Sequence, residues 1–130
     1  VAGDNTLFAV KKHRLKKIAN IAVAVNCMHG ERGEDGCLFG LLNMCGVPLA
    51  SPDLAPSSVC MDKTLTKTFL SGIGVKALDS VTVSGLEQID NAINKLRFPM
   101  IVKPNKLGSS IGVSKAENKK EVIDELVIDL

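Results

Sequence analysis

A short segment rich in glycine and serine, with lysines around it, is the part of the sequence best suited to chemistry. Residues 108–112 read GSSIG, Lys103 and Lys106 precede them, and Lys115 follows. Glycines let a backbone approach a ligand closely. Backbone N–H groups, serine hydroxyls and lysine ammonium groups can then donate hydrogen bonds to phosphate oxygens. The same residue types also make ordinary surface hairpins, so a phosphate loop and a plain turn are equally open from the chemistry alone.

The segment HGERGEDG, residues 29–36, is the second candidate. It follows an apolar run, residues 18–25, that is typical of a buried strand in a parallel sheet. Ligands of such sheets bind beyond the carboxyl ends of the strands, where His29 could donate a hydrogen bond to a carboxylate. Alternatively, Glu34 and Asp35 only cap the next helix, and for Asp35 we favour that interpretation.

Two other patterns, a glycine pair and the cysteines, give weaker indications of a binding site. Residues 72–77, GIGVKA, fit the letters of the dinucleotide fingerprint, but they are expected to leave a helix and enter a strand, the reverse of what that motif requires. No pair of cysteines forms a C-x-x-C motif, and a zinc cluster of Cys27, His29 and Cys37 would match no common spacing. We therefore expect buried, reduced thiols and no metal site. The four cysteines are Cys27, Cys37, Cys45 and Cys60.

The first half of the sequence predicts elements that would hold residues 29–36. We expect a helix over residues 6–17, then the buried strand over residues 18–25. A second helix, with apolar residues at helical spacing from Leu38 to Cys45, would end at Gly46. Strand, polar loop and helix in this order make half of a β-α-β unit, which predicts an α/β fold.

The second half predicts an α+β unit that would hold the glycine- and serine-rich segment. Residues 48–60 contain three prolines and three serines, so they are expected to form a loop with a domain boundary near residue 52. The elements expected after it are a helix capped by Asp62 and running to Leu70, a strand at 77–83, a helix opened by a capping box at 84–87, a strand at 98–102, its hairpin partner at 111–114, and a last helix opening at 118–121.

Composition excludes several classes of function. The 130 residues carry a net charge of +2 and no Trp or Tyr, so a stacking platform for single-stranded nucleic acid is not expected. The basic run at residues 11–17 is interpreted as a solvated helix face. No apolar run approaches the roughly 20 residues of a membrane helix, and the N-terminus lacks the pattern of a signal peptide. We expect a cytoplasmic protein without nucleic-acid or membrane partners; the absence of an initiator Met suggests processing, trimming or excision.

Three blocks of the sequence resemble the signature segments of the D-alanine–D-alanine ligases, in the order and at spacings plausible for that family. The resemblance covers residues 18–126. The blocks are His29-Gly30 with Gly33-Glu34-Asp35-Gly36, Met61-Asp62-Lys63 with Lys67, and Phe98-Pro99 with Val102-Lys103-Pro104 and Gly108-Ser109-Ser110-Ile111-Gly112.

The resemblance implies an ATP-grasp fold and a reaction in which ATP phosphorylates one D-alanine and a second D-alanine attacks the acyl phosphate. Residues 1–52 would be the C-terminal part of the N-terminal substrate-binding domain, and residues 53–130 the central ATP-grasp subdomain. Lys63, Lys103, Gly108 and Ser110 would bind ATP. His29 and Ser109 would be catalytic and bind D-alanine, and Glu34 would support the substrate loop. These roles are carried over from the family to the matching positions.

The departures from the family pattern are equally specific. The family's strand with a substrate-binding glutamate finds no match before residue 18. Its adenine-binding hinge, its oxyanion-site arginine and its Mg²⁺ ligands would lie beyond residue 130, so the metal ligands are expected outside this chain. The expectation is therefore an internal piece of a ligase that is inactive by itself. A ligase for D-serine or D-lactate, or a non-catalytic nucleotide-binding module, stays open, as does the homodimer typical of the family.

Overall fold

The computed structural model describes the backbone of residues 5–129 and the side chains of residues 5–126. The chain divides into two compact units, Val1–Cys60 and Met61–Leu130. Both contain helices and strands, in agreement with the predicted mixture of α/β and α+β structure. The division follows Cys60, whereas the sequence placed a domain boundary near residue 52; the identity of the domains stays a prediction.

A β-hairpin opens the first unit where a helix was predicted. Strand β1, Thr6–Lys11, pairs antiparallel with β2, Arg14–Asn20. Lys12 and His13 form the connection, both with positive φ, as the commonest two-residue hairpin loops require. The helix predicted over residues 6–17 is wrong, because it would have stacked like charges such as Lys12 and Lys16 at a spacing of four, which destabilises a helix.

The parallel pairing predicted for the first unit is present but shorter than expected. Strand β3, Ala24–Val25, pairs parallel with β4, Leu49–Ala50, and helix α1, Cys37–Met44, lies between them in the chain. Residues 18–20, predicted to begin this strand, instead end β2. The predicted order of strand, loop and helix is therefore confirmed, the second strand is an addition to it, and residues 29–36 follow the carboxyl end of β3.

A further helix, α2, Leu54–Met61, occupies part of the segment that was predicted to be a loop. Pro56 lies in its first turn, where a backbone N–H has no partner within the helix, so proline costs nothing there. The proline-rich composition therefore marked a helix start and not only a loop.

The second unit begins with helix α3, Lys63–Gly72, which Asp62 caps as predicted. A short 3₁₀ turn, Leu86–Gln88, leads into α4, Ile89–Lys95. Strand β5, Met100–Val102, pairs antiparallel with β6, Ser114–Ala116, and α5, Lys119–Asp129, follows. The α4 helix, the β5–β6 hairpin and the last helix follow one another in the predicted order.

The core of this unit consists of Ile89, Met100, Ala116 and Val122, one residue from each of α4, β5, β6 and α5. These residues are all buried, and Ala116 is completely so. Burial of apolar surface from four elements fixes the β5–β6 hairpin against two helices. The two strands that flank the β5–β6 connection are therefore both anchored in the hydrophobic core.

Three predicted details of the second unit are corrected. Residues 77–83 form no strand, since they have no partner strand in the described chain. The capping box expected at residues 84–87 is shifted, because Gln88 Oε1, and not Glu87, accepts from the N–H of Ser84 at 2.9 Å. Strand β6 begins at Ser114 and not at Ile111, because the preceding residues form a tight turn.

Within residues 5–129, no helix has both the length and the apolarity that crossing a membrane would require.

Candidate functional site

The GSSIG segment forms an exposed, tight turn between β5 and β6. The N–H of Ile111 donates to the carbonyl of Gly108 at 3.1 Å, and Ser109 and Ser110 between them have φ values of 53° and 59°. Two central residues with positive φ are typical of a type I′ turn, which normally uses Gly or Asn. Serine in this conformation costs about 1–2 kcal/mol per residue. Strain of this kind clusters at ligand-binding sites, which favours a binding role for the turn.

The ammonium group of Lys63 lies in a cage of backbone carbonyls just before this turn. Its Nζ donates to the carbonyls of Pro104 at 2.8 Å, Asn105 at 3.1 Å and Leu107 at 2.5 Å. An ammonium group has three donors, so all three are used. Burial, and then the charge of Lys103, lower the pKa of Lys63 below its usual value. Lys63 therefore connects the start of α3 to the segment that carries the turn.

Lys103 is the exposed cation of this group. It follows β5 directly, and its side chain makes no hydrogen bond or ion pair with another described residue. Lys103 and Lys63 line the same pocket, and the charge of Lys103 contributes to the lowered pKa of Lys63. The structure thus brings together the two lysines that were predicted to contact ATP phosphates.

A pocket of about 330 Å³ lies beside these lysines in the second unit. Its polar side includes Lys63, Lys67 and Lys103, and its apolar side includes Met100 and Val102. Pockets with apolar walls and a few charged groups are typical of small-molecule sites. An apolar wall beside cations is suited to a ligand that combines a ring with phosphate groups.

Asp62 holds the first turn of α3 in place. Its Oδ1 accepts from the N–H groups of Thr64 and Leu65, both at 3.0 Å, and Lys106 Nζ lies 3.9 Å from its Oδ2. The hydrogen bond from the Leu65 N–H, then one from the Asn105 side chain, lowers the pKa of Asp62 below its ordinary 3.8. The carboxylate is therefore stabilised in its charged form.

This lowered pKa predicts how Asp62 affects stability as pH changes. A group whose pKa is lower in the folded state contributes stability above its unfolded pKa, here near 3.8, and loses it as pH falls through the folded value. Asp62→Asn keeps a capping side chain but removes the charge. We expect the difference in unfolding free energy between wild type and Asp62→Asn to be constant at neutral pH and to shrink below about pH 3.8. Urea unfolding at a series of pH values measures it, and a difference independent of pH would contradict the assignment.

The HGERGEDG segment of the first unit is held together by its own side chains. The Gly30 N–H donates to Glu34 Oε2 at 2.6 Å, and the Glu34 N–H donates to the Gly30 carbonyl at 2.9 Å. His29 Nδ1 lies 3.9 Å from Glu34 Oε1, and the His29 side chain is 85% exposed. Glu34 thus supports the loop on which His29 lies, and His29 is accessible to a ligand.

Asp35 caps α1, in agreement with the sequence-based interpretation. Its carboxylate accepts from the N–H groups of Arg32 and Cys37, both at 2.9 Å. These two backbone hydrogen bonds, the one from Cys37 first, lower the pKa of Asp35. The Asp35 carboxylate therefore already has hydrogen-bond partners within its own segment.

Asn26 is a structural residue of this segment that the sequence analysis missed. Its Nδ2 donates to the Gly33 carbonyl at 2.7 Å, and its Oδ1 accepts from the Met28 N–H at 3.0 Å. It therefore closes the loop from the side of β3. An asparagine directly after an apolar run was the available signal in the sequence.

The cysteines differ from the expectation of buried thiols. Cys27, Cys37 and Cys60 are exposed, and Cys45 is partly buried. Helix α1 is short and exposes much of its surface, so helical spacing of apolar residues did not imply burial. Within the part of the chain that the structure describes, no group of three or more His, Cys, Asp or Glu residues is placed to hold a metal ion.

The predicted site residues fall into two groups, one in each unit. The first unit holds His29 and Glu34, which lie side by side. The second unit holds the other group: Lys63, Lys103, Gly108, Ser109 and Ser110.

Comparisons with known proteins identify relatives of this chain. The family described as "D-ala D-ala ligase C-terminus" matches residues 71–128. D-alanine–D-alanine ligase A of Bacillus cereus is 38% identical over 117 residues, which are 89% of this chain and 39% of the relative. The chain thus spans about two fifths of the length of this relative.

Solved structures give the same result. D-Alanine–D-alanine ligase of Helicobacter pylori superimposes with a TM-score of 0.82 at 32% identity, covering 98% of this chain and 39% of that one. The Bacillus anthracis ligase complexed with ATP gives 0.68 at 32% identity, covering 83% and 36%. VanG D-Ala:D-Ser ligase of Enterococcus faecalis gives 0.73 at 30% identity, covering 85% and 33%. By these similarities in sequence and in fold, the chain belongs to the D-alanine–D-alanine ligase family.

Proposed function

We propose that this chain carries part of the ATP and D-alanine sites of a ligase that joins D-alanine to D-alanine for peptidoglycan precursor synthesis. The observation that carries the proposal is the position of two lysines beside the strained Ser109–Ser110 turn. Lys103 lies on the segment that leads into the turn, and the side chain of Lys63 is bound to that segment. Cations beside a turn with exposed N–H groups and hydroxyls suit the phosphates of ATP. The ligase of Bacillus anthracis, a member of the same family, was solved in complex with ATP.

In this proposal the chain contributes position and charge. Lys103 binds phosphate oxygens, and Lys63 joins it by exchanging one or more of its carbonyl partners for phosphate. The backbone of Gly108 and the hydroxyl of Ser110 cover the phosphates. Phosphoryl transfer depends mainly on alignment and on neutralising the transferred charge, which is what two lysines and a rigid turn supply.

The D-alanine part of the proposal assigns Ser109 and His29 to the substrate. Ser109 would orient the D-alanine that becomes phosphorylated, and exposed His29 would bind its carboxylate while Glu34 holds the His29 loop. Residues 1–52 are proposed as part of the substrate-binding domain, and residues 53–130 as the central ATP-grasp subdomain. A cytoplasmic location and a homodimer belong to the proposal through the family resemblance alone.

Among residues 5–129, no three or more His, Cys, Asp or Glu residues come together as a metal-binding group. No step of the proposal is therefore assigned to a metal bound by this chain. Through the family resemblance alone, Mg²⁺ belongs to the proposal as the ion that accompanies ATP.

The test is ligation by the polypeptide encoded by the complete reading frame that contains these residues. We expect ATP-dependent formation of D-alanyl-D-alanine, followed by chromatography and phosphate release. The 130-residue chain alone is expected to be inactive, since it spans about two fifths of its relatives. Dipeptide formation by the short chain would contradict that expectation. Absence of ligation by the complete polypeptide, with ATP binding retained, would favour a non-catalytic nucleotide-binding module.

A D-alanine–D-serine ligase is the second candidate, because VanG D-Ala:D-Ser ligase is among the structural matches at 30% identity. The same assay with an equimolar mixture of D-alanine and D-serine separates the two. A product that is mainly D-alanyl-D-alanine supports the first candidate. A product that is mainly D-alanyl-D-serine supports the second.

A further inference from the structure

Asn105 makes hydrogen bonds to the start of helix α3 through both its side chain and its backbone carbonyl. Its Oδ1 accepts from the N–H and from the Oγ1 of Thr64, both at 3.0 Å. Its backbone carbonyl accepts from the N–H of Lys63 at 3.2 Å and from Lys63 Nζ at 3.1 Å. Asn105 therefore binds both the backbone and the side chains of the first two residues of α3.

These contacts complete the N-terminus of α3. The first N–H groups of a helix have no partners within the helix and need capping groups. Asp62 is the N-cap, and Asn105 shares the Thr64 N–H with it. Asn105 is thus a second cap that comes from a distant part of the chain, about 40 residues later.

The position of Asn105 in the chain gives these contacts a consequence for ligand binding. It lies two residues after Lys103 and three before Gly108, on the segment that leads from β5 into the Ser109–Ser110 turn. Lys63, at the other end of the contacts, is the first residue of α3. Asn105 therefore links the start of α3, where Lys63 lies, to the segment that carries Lys103 and the turn.

We propose that Asn105 is a positioning residue for nucleotide phosphates, because it ties the segment bearing Lys103 and the serine turn to the start of α3. The inference rests on the proposed function, since it assumes that Lys63, Lys103 and the turn bind ATP. It adds a residue whose side-chain oxygen is bound to Thr64 and which acts through the placement of the phosphate-binding residues. Loss of its side chain leaves the lysines intact but allows their separation to vary.

The test compares Asn105→Ala with Asn118→Ala in the polypeptide encoded by the complete reading frame. Asn118 is a matched control, because its Oδ1 accepts from the Glu121 N–H at 3.1 Å at the start of α5, and it is not among the residues that line the pocket with Lys63 and Lys103. Both variants remove a helix-capping asparagine, and both are expected to lower the midpoint of urea unfolding. Only Asn105→Ala is expected to weaken ATP binding, by about tenfold in titration calorimetry, with the KM for ATP raised and the KM for D-alanine within about twofold of wild type.

Thr64→Val gives an independent measurement. It removes the Oγ1 donor and keeps the backbone N–H, so it should weaken ATP binding less than Asn105→Ala, and the double variant should bind no more weakly than Asn105→Ala within about twofold. Hydrogen exchange of residues 103–112 without nucleotide should be faster in Asn105→Ala than in wild type.

The outcomes separate the inference from the proposed function. If wild type binds ATP and Asn105→Ala binds it equally well at a lower unfolding midpoint, Asn105 has only a structural role and the inference is wrong. If wild type binds no ATP, the proposed function fails and the inference fails with it, whatever hydrogen exchange shows. Equal loss of affinity in Asn105→Ala and Asn118→Ala would also overturn the inference, since it would report general destabilisation.

Discussion

Replacing Lys103 by alanine is expected to weaken ATP binding by about 10- to 100-fold, the loss associated with one charge-assisted contact to phosphate. The two lysines of the site differ in how free they are to bind a ligand. Lys63 already donates to three carbonyls, whereas Lys103 makes no hydrogen bond or ion pair within the described residues. Lys103 can therefore meet a phosphate without first losing other partners, and its removal should cost the most affinity.

Titration calorimetry with ATP on the complete polypeptide measures this effect. Lys119→Ala is the matched control, because Lys119 is in the same unit but paired with Asp90 on α4. Its affinity should stay within about twofold of wild type. The loss in Lys103→Ala should also shrink as salt is raised, since the side chain is exposed and its charge is screened. Unchanged ATP affinity in Lys103→Ala would remove the phosphate role proposed for this residue.

Lys63→Ala distinguishes binding from placement at the same site. Its Nζ holds the carbonyls of residues 104, 105 and 107, so its loss should release the segment before the turn as well as remove a charge. Hydrogen exchange of residues 103–112 should therefore rise in Lys63→Ala and stay near wild type in Lys103→Ala.

Local sequence signals predicted the elements that depend on neighbouring residues. Asp62 was recognisable as a helix cap, and Gly46 as a helix end, because capping depends on residue types a few positions apart. The antiparallel pairing of β5 and β6 was predictable from two short apolar runs separated by a glycine-rich turn. In each case the physical cause lies within about a dozen residues of the chain.

Features that depend on distant residues were not predictable. The N-terminal hairpin was mistaken for a helix because Leu7, Val10 and Leu15 fit a helical spacing about as well as a strand pattern. The carbonyl cage around Lys63 is formed by residues 104–107, which come about 40 positions later. Asn105 gave no signal at all, since an asparagine after proline is ordinary in loops.

The candidate site was predictable for a different reason. Local physics singled out His29 and the serine turn but left both loops ambiguous, and resemblance to family segments gave His29, Lys63 and Ser109 their roles. The structure adds the geometry that resemblance lacks: positive φ at Ser109 and Ser110 and the pairing of His29 with Glu34. These observations say how the residues are held, whereas their roles toward ATP and D-alanine stay predictions.

Gly36→Ala is expected to destabilise the first unit by about 2–4 kcal/mol, combining the cost of a left-handed conformation with that of overpacking. Gly36 has a φ of 91° and directly precedes α1. A Cβ atom there would lie 2.8 Å from the carbonyl oxygen and 2.9 Å from the Cα of Leu54. Both are backbone atoms at the start of α2, so the neighbour cannot rotate away as a flexible side chain would.

Urea unfolding followed by circular dichroism measures this cost, with Gly72→Ala as the matched control. A Cβ atom at Gly72 would meet no described atom within 4 Å, and the φ of Gly72 is not positive. Alanine there should therefore be neutral or stabilising by up to about 1 kcal/mol. Gly36→Asn separates the two causes, because asparagine tolerates positive φ but still brings a Cβ atom. If Gly36→Asn is as destabilising as Gly36→Ala, contact with Leu54 is the dominant cause. If both match Gly72→Ala, the last glycine of the HGERGEDG loop is not required for packing, and its place in the family signature needs a reason in ligand binding.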